Sequence, residues 1–536
     1  MTMRKYPIGI QTFSEIIRDG YVYVDKTDLV WQMAHYAKYV FLTRPRRFGK
    51  SLLTSTLNAY FSGERELFER LKIMQLEQEW RKYPVLRLDL SGAKHLSPAL
   101  VQKELERILE PYEQVYGKRD SEVTPGMRLA GIIMRAYEQS KERVVVLIDE
   151  YDAPLLDVLH EEEELKEMRE VMQEFYQRLK MLDPYIKFCF ITGITKFSQL
   201  SSHTPIRTHG WTFSTINNIM NVTMDVKFGA ICGVTELELV TALKEDIGRL
   251  AMAYDTDWET MHQKLKLRYD GYRFTKAPVE IYNPYSLIKA FQAQELSSYW
   301  FESGTPTFLI RQMQYFRTDI TSLDRLEVPS SAFDQPTENM DDALPLLYQS
   351  GYLTIKDYNS EAESYTLSIP NQEVRIGYTQ GLLPAYIGLK SSDVQMGFAY
   401  KFWKALKKSD INQAMQEMQS YMASIPYVEG FKEKLKDAAT KEGFYEYTMY
   451  LIFSMLNVYV RTQVKCAGGR IDLVVDMPDA VYVFELKVND TAENALRQID
   501  DKGYAIPYQN CNSKVVKVGV KICSDNRTIE DWVIAE

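Results

Sequence analysis

Four short apolar runs in the first part of the chain, separated by stretches of helical period, constrain its fold more than any other feature. They are Tyr39-Val40-Phe41-Leu42, Tyr83-Pro84-Val85-Leu86-Arg87-Leu88-Asp89-Leu90, Val144-Val145-Val146-Leu147-Ile148-Asp149 and Ile186-Lys187-Phe188-Cys189-Phe190-Ile191-Thr192. Runs of this length, rich in β-branched and aromatic side chains, read as buried strands. Strands that alternate with helices build a parallel sheet, since a parallel neighbour can be reached only by a crossover. An α/β unit is therefore expected over 1–230. It opens with a short helix pattern at Phe13-Ser14-Glu15-Ile16-Ile17, an alternating, strand-like run over 21–27, and a helix over about 28–35.

The first run is followed by Arg44-Pro45-Arg46-Arg47-Phe48-Gly49-Lys50-Ser51 and then by Leu52 to Phe61, whose apolar residues recur at helical spacing. Strand, loop and helix is the order that a phosphate loop requires. Such a loop needs backbone N–H groups converging on the anion at the helix N-terminus, a lysine reaching the β and γ phosphates and a hydroxyl for magnesium, and Lys50 and Ser51 are expected to supply the last two. The usual spacing puts a glycine where Arg44 stands, and by composition a Gly-Lys-Ser/Thr tripeptide arises by chance in roughly one chain in four of this length. The run ending in Asp149-Glu150 strengthens the assignment. It places two carboxylates at the end of a buried strand, Asp149 to hold magnesium and Glu150 to polarise the attacking water. A helix cap with an acidic first turn is the bland account of the same pair. Thr192 and Thr195, after the fourth run, stand where a γ-phosphate contact would be, and an ordinary strand-to-loop turn explains them equally well. Arg44, Arg46 and Arg47 fit phosphate contacts, a DNA contact or a solvated basic face.

Around Gly229 the pattern changes to short helices and loops, with turn signals at Asp270-Gly271 and Asn283-Pro284. A mainly helical lid or linker is expected over 231–397. The remainder, 398–536, begins with a lysine-rich helical stretch (Lys401, Lys404, Lys407, Lys408). It continues through an amphipathic helix over 444–456 into strands over 458–465, 469–475, 481–488 and 515–522.

Within these strands, Gly469-Arg470-Ile471-Asp472-Leu473 and Val483-Phe484-Glu485-Leu486-Lys487 are joined by a short turn containing Met477-Pro478-Asp479. Side chains alternate along a strand, so Glu485 and Lys487 share a face, and the hairpin carries Asp472 alongside Glu485. Two acidic ligands and a lysine are what magnesium-dependent phosphodiester cleavage needs. A surface Glu–Lys pair is the plain alternative, but carboxylates among apolar strands are costly unless paired or metal-bound. Glu442 is a further candidate metal ligand or an ordinary helix N-terminal charge. Gln498 and Lys502 either contact phosphate or face solvent.

Composition limits the rest. The 536 residues are too many for one core. A net charge of −9 argues against coating nucleic acid by bulk electrostatics, though a local basic groove is compatible with it. No apolar run approaches the roughly 20 residues of a spanning helix, and no secretory leader pattern opens the chain, so a cytoplasmic protein without membrane contact is expected. The five cysteines are scattered and never at Cys-x-x-Cys spacing, which suits reduced thiols better than zinc or disulfides.

Several segments together resemble the AAA-ATPase-like family that bacteria, gut Bacteroidetes especially, carry in many copies. They are Tyr23-Val24-Asp25-Lys26-Thr27, the loop from Thr43 to Ser51, Ile148-Asp149-Glu150-Tyr151-Asp152-Ala153-Pro154-Leu155, Tyr269-Asp270-Gly271-Tyr272 and Gly304-Thr305-Pro306-Thr307-Phe308. The end of the chain resembles the PD-(D/E)XK nuclease-superfamily domain often fused to that family. The resemblance implies ATP and magnesium at the first domain, a restriction-endonuclease-like α/β core at the last, and Arg44 as a normal member of the loop. The nucleotide-site residues are then Arg47, Gly49, Lys50, Ser51, Asp149, Glu150 and Thr192, and those of the second site are Asp472, Glu485, Lys487 and Glu442. Three readings compete. One is an ATPase coupled to a nuclease or nucleic-acid-binding domain, another is a signalling or stress-response ATPase whose nuclease-like domain only docks, and the third is a loop that binds nucleotide without hydrolysing it.

Overall fold

The computed structural model describes residues 4–92, 97–159, 161–197, 219–300, 307–316, 325–337, 340–378, 401–402, 404–406, 408, 410–424, 459–466, 469–476, 480–509, 514–523 and 528–536. The chain divides into two compact units. The first comprises Met1–Glu302, Pro306–Phe316 and Glu327–Asn371, and the second comprises Ser303–Thr305, Arg317–Leu326 and Gln372–Glu536.

In the first unit every residue of the run Val144–Asp149 is buried, which requires a sheet covered on both faces. The sheet holds β1 (Tyr39–Thr43), β2 (Val85–Asp89), β3 (Val144–Asp149), β4 (Ile186–Gly193) and β5 (Met220–Asn221) in the order β2-β3-β4-β1-β5. All neighbours are parallel. The helices in chain order are α1 (Phe13–Arg18), α2 (Thr27–Tyr36), α3 (Lys50–Phe61), α4 (Pro98–Tyr116), α5 (Pro125–Ser140), α6 (Ala153–Asp157) and α7 (Glu162–Met181). Helices α4, α5 and α7 cover one face, where Leu105, Leu109, Ile132, Met172 and Phe175 meet Leu88, Val146 and Ile148 in one core. Ser97 and Thr124 start α4 and α5 by accepting hydrogen bonds from Leu100 N and Met127 N, and a proline at the first helical position adds a fixed φ.

The alternating run over 21–27 is not a strand. It makes one bridge, Lys5 with Tyr21, and then turns. The Asp25 carboxylate accepts from Thr27 N at 2.9 Å and Thr27 Oγ1 at 2.7 Å, and from Lys72 N at 2.7 Å, so side-chain bonds take over from a ladder and launch α2.

Apart from Ser303–Thr305 and Arg317–Leu326, the middle of the chain as far as Asn371 belongs to the same unit, and its first part is helical. Helices α8 (Glu236–Ala242), α9 (Lys244–Ala253), α10 (Trp258–Tyr269) and α11 (Pro284–Ala293) gather Leu239, Ile247, Leu250, Leu265, Tyr269 and Phe291 into a second core. A two-stranded ribbon of β6 (Val234–Thr235) and β7 (Ile281–Tyr282) ties it off, and a small sheet follows, β8 (Leu326–Pro329), β9 (Thr354–Asn359) and β10 (Ser364–Ser368).

The second unit carries a mixed sheet of β11 (Tyr459–Cys466), β12 (Gly469–Asp476), β13 (Ala480–Val488), β14 (Lys514–Cys523) and β15 (Thr528–Ala535), in sequential order. Only β13 and β14 run parallel, joined across the helix Ala492–Asp501. The Thr491 hydroxyl caps that helix at Asn494 N, and Ala492, Ala495 and Ile499 face the sheet. Gly519 on β14 is where helix and sheet come closest, for a Cβ there would lie 2.3 Å from Ala492 O. The amphipathic helix expected over 444–456, and Glu442 before it, lie outside the described residues.

Candidate functional site

Gly49, with φ +92, turns the chain from the loop into α3 in a conformation that suits a residue without Cβ. Lys50 and Ser51 then occupy the first turn, where unpaired backbone N–H groups and the helix dipole attract an anion. Beside them, β3 ends in Asp149 and the chain makes a left-handed turn at Glu150, φ +50. The buried Lys50 ammonium sits 3.4 Å from Glu150 Oε1 and 3.3 Å from Pro45 O. Lys50, Asp149 and Glu150 are thus gathered at the C-terminal edge of the sheet, where the crevice of a parallel sheet takes its ligands.

Asp149 is fully buried. Its Oδ1 accepts from Glu150 N at 3.1 Å, while Oδ2 has no hydrogen-bond partner among the described residues. Burial, with the charge of Glu150 added to it, pushes its carboxyl up to about 6, against the pull of Lys50 and Ser51. A carboxylate held like this beside a serine hydroxyl is under-compensated, and a divalent cation is the partner that would relieve it. These residues fit the metal and nucleotide expected of them.

Thr192, on β4 between β1 and β3, is buried, and its hydroxyl donates to Leu42 O at 2.7 Å. Thr195 donates its hydroxyl to Asp152 Oδ2 at 2.7 Å.

The three loop arginines part company. Arg46 and Arg47 are exposed, and the Arg47 guanidinium lies 4.7 Å from the centroid of Tyr285. Arg44 is 1 % exposed and fits none of the three roles weighed for it. Its Nη1 donates to Thr43 O at 2.8 Å and Thr223 O at 2.9 Å, its Nη2 to Phe228 O at 3.0 Å, and the guanidinium lies 4.4 Å from the centroid of Phe274. It is an internal tie between β1 and the chain after β5. Phe48, 1 % exposed, faces into the protein and packs edge-on against Tyr272 and Phe274. Tyr272, from the segment Tyr269-Asp270-Gly271-Tyr272, thereby packs against the phosphate loop, and Lys26 pairs with Glu238 on α8.

In the second unit Leu473 faces Phe484 across the antiparallel pair β12–β13, which sets Asp472 next to Glu485. Asp472 Oδ2 accepts from Leu486 N at 2.8 Å. Glu485 is 2 % exposed, with Lys487 Nζ 3.3 Å from its Oε1. The Gln498 amide donates to the same oxygen from the helix Ala492–Asp501. Gln498 therefore belongs to this cluster, whereas Lys502 is exposed at the end of the helix. The oxygens of the two carboxylates are the kind of ligand a hard divalent ion takes, while Lys487 and Gln498 hold Glu485 in place.

Sequence reasoning missed Asp152, whose fully buried carboxylate holds the loop after β4, and the supporting pairs of Phe48 and Lys26. Their partners lie far away along the chain, so no local spacing marks them. Among the described residues no helix is long and apolar enough to cross a membrane, and Cys189, Cys232, Cys466 and Cys523 are free thiols.

Comparison with known proteins agrees with the domain architecture. Residues 7–202 match the family model described as predicted AAA-ATPase, and residues 440–532 match that of the PD-(D/E)XK nuclease superfamily. An "Uncharacterized protein in vnfD 5'region" of Azotobacter chroococcum mcd 1 is 32% identical over 543 residues, covering 100% of this chain and 99% of its own length. The chain belongs to the predicted AAA-ATPase family and carries a PD-(D/E)XK nuclease-superfamily domain over 440–532.

Proposed function

We propose that this protein is an ATPase, acting in the cytoplasm, whose nucleotide state gates a magnesium-dependent nuclease or nucleic-acid-binding domain on the same chain. On this reading 1–230 carries the nucleotide chemistry, 231–397 braces it, and 398–536 carries the phosphodiester chemistry. The observation that supports it best is the under-compensated Asp149 carboxylate beside Ser51, with Lys50 and Glu150 in the same crevice. The amides after Gly49 and the Lys50 ammonium bind the β and γ phosphates, and Arg47 flanks them from the exposed side of the loop. Ser51 and Asp149 hold the magnesium ion. Once Lys50 has turned to the phosphates, Glu150 is released to accept the proton of the attacking water. In the second unit Asp472 and Glu485 are the metal ligands, Gln498 fixes the Glu485 carboxylate, and Lys487 orients the water. Magnesium, when bound at either site, supplies charge compensation for the phosphoryl oxygens.

The test uses the full chain with MgATP and with linear DNA or RNA, each with and without magnesium. Glu150→Gln is expected to lower ATP turnover by about a hundredfold or more, and Glu485→Ala or Lys487→Ala to abolish cleavage while leaving turnover in place. Cleavage unchanged in both of the latter variants rules out the nuclease assignment. Nucleic-acid binding without cleavage by the intact protein would make the second unit a docking module.

A further inference from the structure

After Gly193 the chain leaves β4 in a loop held from two sides. On one side the Asp152 carboxylate accepts from Ile194 N at 3.0 Å and Thr195 N at 2.6 Å. Tyr151 reinforces it, its hydroxyl donating to Thr195 O at 3.0 Å and accepting from Phe197 N at 3.0 Å. On the other side stands a stretch some 140 residues later, near the C-terminal end of the first unit. There the buried Gln349 takes Lys196 N on its Oε1 at 2.8 Å and gives its Nε2 to Gln335 O at 2.8 Å. Asp334 Oδ2 meets the Lys196 ammonium at 3.1 Å, and Thr337 N donates to Lys196 O at 2.9 Å.

The same stretch reaches the phosphate loop. A Cβ on Gly351 would lie 2.7 Å from Pro45, and Tyr352 packs on Trp300, whose indole N–H donates to Arg46 O at 3.2 Å. One piece of chain thus touches the loops after β1 and after β4, two adjacent strands, at the edge where Lys50, Asp149 and Glu150 converge.

We propose that Asp334 and Gln349 are positioning residues for nucleotide hydrolysis: acting through Lys196, they fix the loop after β4 against the terminal phosphate and so govern turnover rather than affinity. This rests on the hydrolytic reading above. The physical reason is that both grips on Lys196 are directional and shielded. The Lys196 and Asp334 side chains are 14% and 20% exposed, so the pair is screened far less than a surface ion pair. The Gln349 amide is satisfied only while residues 196 and 335 keep their spacing. Binding uses the backbone of the phosphate loop, which these residues do not hold, whereas hydrolysis needs groups placed to within a fraction of an ångström.

The experiment measures MgATP turnover and equilibrium binding of a fluorescent ATP analogue on the full chain. Asp334→Asn and Gln349→Met are expected to lower kcat by about tenfold while the dissociation constant moves by less than about threefold, a split that simple destabilisation does not produce. Asp334→Glu, which keeps the ion pair, should recover most of the lost rate. If either variant fails to fold, Lys196→Gln breaks the same pair from its other end and carries the same expectation. Turnover that vanishes in Glu150→Gln but is unaltered in Asp334→Asn, Gln349→Met and Lys196→Gln overturns this proposal alone. No turnover in the wild-type protein overturns the hydrolytic reading, and this proposal with it.

Discussion

At the scale of single residues, Arg44 is the instructive case. A guanidinium is charged at any relevant pH and is costly to bury, and burial lowers its affinity for its proton here. Three carbonyl oxygens and the face of Phe274 offset that cost. Removing the side chain would leave the oxygens of Thr43, Thr223 and Phe228 without these donors inside the protein. Arg44→Met is therefore expected to lose about 2–4 kcal/mol of stability, whereas Arg46→Ala, at an exposed position, should stay within about 0.5 kcal/mol of wild type. Urea unfolding of the two variants side by side checks this, and equal midpoints would contradict the buried role. Arg44 and Arg46 look alike in the sequence, two cations in one basic loop. The distinction lies in which of them finds carbonyls, and two of the three, Thr223 O and Phe228 O, belong to residues about 180 positions further on.

At the scale of elements, the phosphate loop owes its shape to what packs beneath and beside it. Phe48 is wedged against Tyr272 and Phe274, and Pro45 touches Gly351. Gly351 has φ +89, so an alanine there would be strained by about 1–2 kcal/mol and would also press on Pro45. Gly351→Ala should weaken ATP binding by roughly tenfold, or 1.4 kcal/mol, as read by titration with the fluorescent analogue. An unchanged affinity would mean that Gly351 has no hold on the loop. The strands β1, β3 and β4 were legible as apolar runs because burial on both faces leaves few polar positions to blur the signal, Lys187 at the start of β4 being one. The hairpin bearing Asp472, Glu485 and Lys487 was legible because alternation and a short turn fix its register. The run over 21–27 misled, since Asp25 satisfies the backbone locally where a ladder was expected. The strand Thr528–Ala535 was overlooked because Glu530 and Asp531 interrupt its apolar pattern, its pairing with β14 being irregular at that point. The contacts of Asp152 with Thr195, Gln349 with Lys196 and Lys26 with Glu238 come from tertiary packing, and no motif encodes them.

At the scale of the whole molecule, two units with separate cores are joined in one chain. Separate cores unfold as separate cooperative steps when neither depends on the other. Calorimetry is expected to resolve two transitions, and ATP with magnesium should raise only one. At a hundredfold excess over the dissociation constant that gain is about 2.7 kcal/mol, and it should vanish in Lys50→Ala. A single transition that shifts as a whole would show that the units are thermodynamically one.

The contact of Gly351 with Pro45 also has a meaning in time. The phosphate loop emerges early in synthesis, but a residue that shapes it follows roughly 300 positions later, which at about 5–20 residues per second is some 15–60 seconds of translation. Through that interval the nascent chain carries Gly49-Lys50-Ser51 without its brace. The ribosome thus imposes a delay between making the motif Gly49-Lys50-Ser51 and making the residue that packs against its loop, which arrives only when about two-thirds of the chain has been made.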